Sequence, residues 1–297
     1  MSLDFTGLRN LRATDPAALQ AILAGRTRRP LAAGDGQLFI IAADHPARGA
    51  LGVRGDRLAM ADRYDLLARL ATALENPLVD GVLGTPDIVD DLAALGLLEG
   101  KIVVGSMNRG GLRGSSFEMD DRFTAYSVDS LIEARLDMAK LLVRIDLTDP
   151  GSVATLEASG AAVSLASAAQ LPILIEPFIS HRVDGGVVND LTTDAVIHSV
   201  AISSALGSSS AYSWLKLPVV PDMERVMAAT TLPTLLLGGD PDEDAEETFE
   251  SWSRALALPG VRGLVVGRTL LYPADGDVAA AVAIAAELVH GPITVVR

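Results

Sequence analysis

The chain contains no cysteine, which excludes disulfides, thiolate nucleophiles and cysteine-held zinc or iron–sulfur centres. No uncharged apolar stretch reaches the roughly 20 residues that a membrane-spanning helix needs. The first residues, Met1-Ser2-Leu3-Asp4-Phe5, lack the basic segment and apolar core of a secretory leader, so the expected location is the cytoplasm. Positive charge is short as well: 24 Lys and Arg face 38 Asp and Glu, a formal net charge of −14. A chain of this sign is a poor partner for nucleic acid and is repelled by anionic membranes. Any anionic ligand must therefore meet positive charge that is local. Of the four histidines, only His45 and His181 fall near the functional end reasoned below, too few for a three-histidine zinc site. No metal and no cofactor are expected.

Lysine is scarcest among the charged residues, with three against 21 arginines. One of them, Lys216, stands inside the apolar run Ser213-Trp214-Leu215-Lys216-Leu217-Pro218-Val219-Val220. Arginine stays protonated at any working pH, whereas burial or a neighbouring cation can bring a lysine down from about 10.4 toward neutrality. A neutral amine within an apolar strand is suited to forming a Schiff base with a carbonyl substrate. The plainer reading is a strand-end lysine whose head snorkels to water.

What is plentiful is short apolar runs. They cover residues 38–43, 79–83, 101–105, 141–145, 172–177, 213–218, 232–238 and 263–267. Between them lie alanine- and leucine-rich segments with apolar spacing of three and four, such as 60–75 and 194–206. Strand–helix alternation repeated eight times predicts parallel pairing and the α/β class, as a closed (β/α)8 (TIM) barrel. We expect one domain across residues 1–297, with a short N-terminal helical extension. Its helix, at 15–23, starts with Thr14 or Asp15 as cap and Pro16 in the first turn, and would close the barrel bottom. An open nucleotide-binding sheet would instead need a glycine-rich turn after the first strand, where this chain reads Asp44-His45-Pro46-Ala47-Arg48-Gly49.

Barrel function collects at the C-terminal strand ends, and strand parity selects the inward residues. Asp44, Arg144, Asp146, Glu176 and Lys216 all fall on inward positions there. Carbon–carbon cleavage through a Schiff base needs an amine, a proton donor for dehydration and a base. Lys216 supplies the amine, and Arg144 is placed to depress its basicity. Glu176 and Asp44 would shuttle protons if apolar surroundings raise one above the other. Asp44 and Arg144 also read as an ion pair closing the mouth, and Asp146 as the cap of the turn before Thr148-Asp149-Pro150. After the last two runs come Gly238-Gly239 and Gly267-Arg268, small residues plus one cation, where barrels commonly hold phosphate. The glycine-rich loop 105–116 has no Gly-Lys-Ser/Thr ending and is no P-loop. It reads either as a mobile lid carrying Asn108 and Arg109 or as a plain surface loop.

Lys216 on the sixth run, Gly238-Gly239, Gly267-Arg268, Asp44-His45 after Ala42-Ala43, and Glu176 ending Pro172-Ile173-Leu174-Ile175 together resemble the class I aldolase superfamily. That group includes deoxyribose-phosphate, archaeal-type fructose-bisphosphate and tagatose-bisphosphate aldolases. The resemblance runs from about residue 38 to 272. It implies the barrel fold, a Lys216 Schiff base, a small phosphorylated sugar substrate and a homo-oligomer. Departures are the loop 105–116, Pro46 where glycine is usual, and Arg144 where several relatives carry lysine. The chain is similar to an actinobacterial family encoded beside inositol-degradation genes. That similarity implies 2-deoxy-5-keto-gluconate 6-phosphate as substrate, cleaved to dihydroxyacetone phosphate and malonate semialdehyde. Arg48, Arg109 and Arg113 would suit such a substrate's carboxylate, with His45 and Asn108 as further contacts. Two other readings stand beside the aldolase. One is a different sugar-phosphate lyase or isomerase, with Glu176 as base and Lys216 as a clamp. The other is a non-catalytic sugar-phosphate sensor.

Overall fold

The computed structural model describes residues 3–31, 34–239 and 244–291. Among these, the apolar runs form β1 (Leu38–Ala42), β2 (Gly81–Gly84), β3 (Ile102–Ser106), β4 (Met138–Ile145), β5 (Ile173–Val183), β6 (Gly186–Asn189), β7 (Ser213–Leu217), β8 (Thr234–Leu237) and β9 (Val261–Val266). All but β6 pair in parallel around a closed ring, with β1 completing the circle against β9 and β4 joined to β5. This is the predicted (β/α)8 barrel. The short β6 folds back antiparallel on the end of β5, forming a hairpin at the C-terminal face.

Alternation along each strand divides the apolar residues into two cores. Leu38, Ile40, Leu83, Val104, Leu174, Leu235 and Val265 fill the barrel interior. Phe39, Ile41, Val82, Val103, Leu141, Ile175, Leu215 and Leu264 face outward, against the ring of helices. Both faces are buried, as parallel sheets require, and the strands read as nearly continuous Val/Ile/Leu. Lys216 lies on the inward face of β7, in register with Leu235 of β8. A polar group on that face has no exit except upward into the mouth.

The N-terminal end carries two helices where the sequence predicted one, α1 (Phe5–Thr14) and α2 (Pro16–Gly25). Asp15 ends α1 and caps α2 through Ala18 N, so the break is one residue wide and lacks a loop signal. The segment after α2 is bolted under the barrel by arginines. Arg26 and Arg28 both reach Asp137 at 2.6 Å, and Arg29 reaches Asp80 at 2.6 Å. Each of those acids also accepts a backbone N–H from a neighbouring strand: Asp137 from Val103 at 2.8 Å and Asp80 from Phe39 at 2.7 Å.

A third bolt comes from the last helix described, Val278–His290. The His290 ring lies between Asp35 (2.8 Å) and Asp80 (3.0 Å). Its hydrogen bond with Asp80, aided by Asp35, outweighs burial and raises the imidazole above its ordinary value. A raised folded value means that this stabilisation is complete below the unfolded histidine's pH range. It is lost as pH rises through the folded value. We expect His290→Ala to cost about 1–2 kcal/mol near pH 5.5, the order of one charge-assisted hydrogen bond, and less by pH 9. Denaturant melts of both proteins at the two pH values check this, and a gap constant with pH contradicts it. Among the described residues no helix is long and apolar enough to cross a membrane.

Candidate active site

At the C-terminal mouth of the barrel a cavity of about 350 Å³ opens onto the ends of β1, β4, β5 and β7–β9. Its floor is a line of alternating charges. Lys216 Nζ is 2.9 Å from Glu176 Oε1, and Glu176 Oε2 is 2.5 Å from Lys140 Nζ. Lys140 Nζ continues to Asp44 Oδ2 at 3.1 Å, and that oxygen also meets the Arg109 guanidinium. Ser106 Oγ donates to the same oxygen at 3.3 Å. All five charged groups are buried.

The electrostatics correct one expectation. Burial alone would raise Glu176, but the ammonium groups of Lys140 and Lys216 outweigh it and hold the carboxyl down at about 2. Asp44 behaves likewise: Arg109 and Lys140 overcome burial and keep it well below the usual range. Neither carboxyl is raised above the other, so neither is a resting acid. Burial lowers Lys140, against the opposing pull of Asp44 and Glu176. The natural proton donor of the line is therefore an ammonium. Burial also drives the His45 imidazole down to about 3, leaving it neutral at the rim.

Arg144 does not stand beside Lys216. Its guanidinium turns to Glu118, 2.6 Å to the carboxylate and 2.8 Å to the backbone carbonyl, so Arg144 forms no pair with Asp44. Lys140 occupies the place expected of Arg144, two inward positions earlier on β4. Arg48 lines the cavity, but its guanidinium holds Asp121 at 2.6 Å and donates to the carbonyls of Gly111 and Asn108. The Asn108 side chain is spent on Leu142, donating to its carbonyl (2.5 Å) and accepting from its N–H (2.8 Å). It does not line the cavity. Asp146 accepts from Thr148 N and Oγ1 as a turn cap. Arg113 is exposed, away from the lining.

The loop 105–116 is tied down along one side of the mouth. Arg48, Arg109 and Arg144 fasten it, and the first and last of them converge on the carbonyl of Gly111. A Cβ at Gly111 would lie 2.3 Å from Glu118 O, so only glycine fits where these chains cross.

Across the mouth, Gly238, Gly239, Gly267 and Arg268 line the same cavity, as the sequence reading placed them. Thr269 Oγ1 donates to the Gly238 carbonyl at 3.1 Å and ties the two loops together. A Cβ at Gly267 would come within 2.3 Å of Ala42 O, which fixes glycine there and keeps its backbone open to the cavity. Sequence reasoning missed Lys140, Glu118, Asp121 and the hairpin residues Phe178, Asn189 and Leu191. Lys140 was findable, because the scarcity and parity that single out Lys216 apply to it equally.

A (β/α)8 barrel whose mouth holds two buried lysines bridged by a carboxylate has the fold of the class I aldolases. A fructose-bisphosphate aldolase from Slackia heliotrinireducens superposes with a TM-score of 0.65 at 14% identity, over 97% of this chain and 90% of that one. An archaeal fructose-1,6-bisphosphate aldolase, solved with its catalytic Lys bound to the carbinolamine intermediate, gives 0.63 at 20% identity over 92% and 100%. The chain belongs to the Cgl0159-like family, whose model matches residues 36–286. The crystal structure of Cgl0159 from Corynebacterium glutamicum is 64% identical over 96% of each chain, with a TM-score of 0.94. A comparison with curated proteins gives no match.

Proposed function

We propose that the protein is a class I aldolase that cleaves or forms a C–C bond in a phosphorylated ketose or keto sugar acid through a Schiff base on Lys216. The observation that carries this reading is the Lys216–Glu176–Lys140–Asp44 line at the base of the cavity. With Arg109 it sets three cations against two carboxylates, so release of one proton from an amine leaves it balanced.

In this reading the neutral Nζ of Lys216 attacks the substrate carbonyl carbon, and Lys140 supplies the proton that the new alkoxide takes. Loss of water gives an iminium, which is the electron sink for cleavage. Glu176, held as a carboxylate, is the base. It takes the proton of the hydroxyl next to the scissile bond, the C–C electrons flow into the iminium, and an aldehyde leaves. The remaining enamine takes on carbon the proton held by Glu176, which restores the iminium and the carboxylate. Water then adds to the iminium, releasing the ketone, regenerating the amine and returning a proton to Lys140. Asp44 stays ionised and keeps Lys140 in place. The phosphate would sit on Gly238, Gly239, Gly267 and Arg268. The resemblance to the inositol-cluster family supports 2-deoxy-5-keto-gluconate 6-phosphate as the substrate. A homo-oligomer in the cytoplasm fits the same resemblance.

The test is borohydride reduction in the presence of dihydroxyacetone phosphate and a panel of sugar phosphates, followed by peptide mass spectrometry. The three lysines make the adduct easy to locate. A ligand-dependent adduct on Lys216 is expected. Binding without any adduct would favour the isomerase or sensor readings.

A further inference from the structure

We propose that Arg109 recognises a carboxylate at the end of the substrate remote from its phosphate, so that the cavity takes a phosphorylated sugar acid and not a bisphosphate. This inference rests on the function proposed above and deepens it, by naming the residue that selects the acid.

Position is the first argument. The ring of parallel strands runs β1, β2, β3, β4, β5, β7, β8, β9, so β3 and β8 lie opposite each other. Arg109 follows β3 and Gly238-Gly239 follow β8, yet both line one cavity. A chain held by its phosphate at one rim points its other end at Arg109.

The second argument is the donors. Arg109 is 7% exposed, and its Nε has no hydrogen-bond partner among the described residues. Burying an N–H without a partner is costly, and a guanidinium edge matches the two coplanar oxygens of a carboxylate. Arg48 and Arg144 also carry open Nε atoms. Each is already neutralised by an acid of its own, Asp121 or Glu118. Arg109 shares its acid, Asp44, with Lys140.

Charge decides between anions. With Lys216 neutral, Arg109 and Lys140 balance Asp44 and Glu176, and the count is unchanged when the Lys140 proton passes to the departing water and Lys216 becomes an iminium. A carboxylate adds one negative charge to this balanced line, whereas a phosphate ester brings about −1.5 to −2, so the carboxylate leaves less charge uncompensated.

The experiment is calorimetric titration of the full-length protein with gluconate 6-phosphate, glucitol 6-phosphate and glucitol 1,6-bisphosphate. These six-carbon probes differ only at the end remote from the 6-phosphate. None has a ketone, so binding is read without Schiff-base chemistry. We expect gluconate 6-phosphate to bind roughly tenfold or more tighter than glucitol 6-phosphate, as one charge-assisted pair implies. That ratio should fall to near parity in Arg109→Gln and recover in part in Arg109→Lys. Equal affinity in the wild type, tightest binding of the bisphosphate, no binding of any probe, or a preference that survives Arg109→Gln would each overturn the proposal. If Arg109→Gln does not fold, the wild-type ranking and Arg109→Lys still decide. A gluconate preference without dihydroxyacetone phosphate trapping on Lys216 would sink the aldolase reading and leave the carboxylate site standing.

Discussion

Exchanging Lys216 for methionine or arginine is expected to cut turnover of whatever sugar phosphate the wild type cleaves by on the order of 10⁴-fold or more. Arginine keeps the charge and the contact with Glu176 but cannot present a lone pair, so it separates nucleophile from clamp. Methionine keeps the length and apolar stem. Glu176 retains Lys140 at 2.5 Å in either variant, so no buried carboxylate is orphaned. Leu215 and Leu217 still anchor β7 in the outer core. Steady-state kinetics with circular dichroism on both variants measures this. An arginine variant that keeps more than about 10% of wild-type turnover would mean that Lys216 acts only by charge, and Glu176 as base would become the leading reading.

Lys140→Met is expected to lower kcat by roughly 10²–10⁴-fold, the span of a lost general acid, and to change the shape of the pH profile. Both carboxyls of the line are held low, so the group that donates the proton is the Lys140 ammonium, itself lowered by burial. A donor works only while protonated. Wild-type activity should therefore fall on the alkaline side as pH rises through the lowered Lys140 value, and the methionine variant should lack that limb. Slower but detectable trapping on Lys216 in the variant would separate a lost donor from a lost nucleophile. An unchanged alkaline limb would remove Lys140 from the proton path.

Most of the barrel could be read in the sequence because its signal is local. Eight apolar runs with helical spacers determine strand number, and a period of two identifies the inward face. Lys216, Glu176, Asp44, Gly238-Gly239 after β8 and Gly267-Arg268 after β9 follow from that alone. Lys140 lies outside the fourth apolar run, which begins at Leu141, because β4 itself begins three residues earlier, at Met138. Arg144 was misplaced for a different reason. Its partner, Glu118, lies 26 residues away in a loop without periodicity, and no local pattern shows which of several acids an arginine will choose. The carboxyls are not raised because burial does that only where cations are few, and here Lys140 stands between Asp44 and Glu176.

The arginine bolts beneath the barrel bear on where this family's structural unit begins. The family match starts at residue 36, beyond Arg26, Arg28 and Arg29. Those residues neutralise Asp137, which immediately precedes β4, and Asp80, which immediately precedes β2. A barrel cut at the boundary of the match would keep both acids under its floor while discarding those counter-ions. Breaking a buried pair in this way costs about 3–5 kcal/mol. Asp137 lies three residues before Lys140, so the same cut would loosen the strand that carries the second lysine. For anyone trimming or grafting this scaffold, the segment that carries Arg26, Arg28 and Arg29 belongs with the barrel.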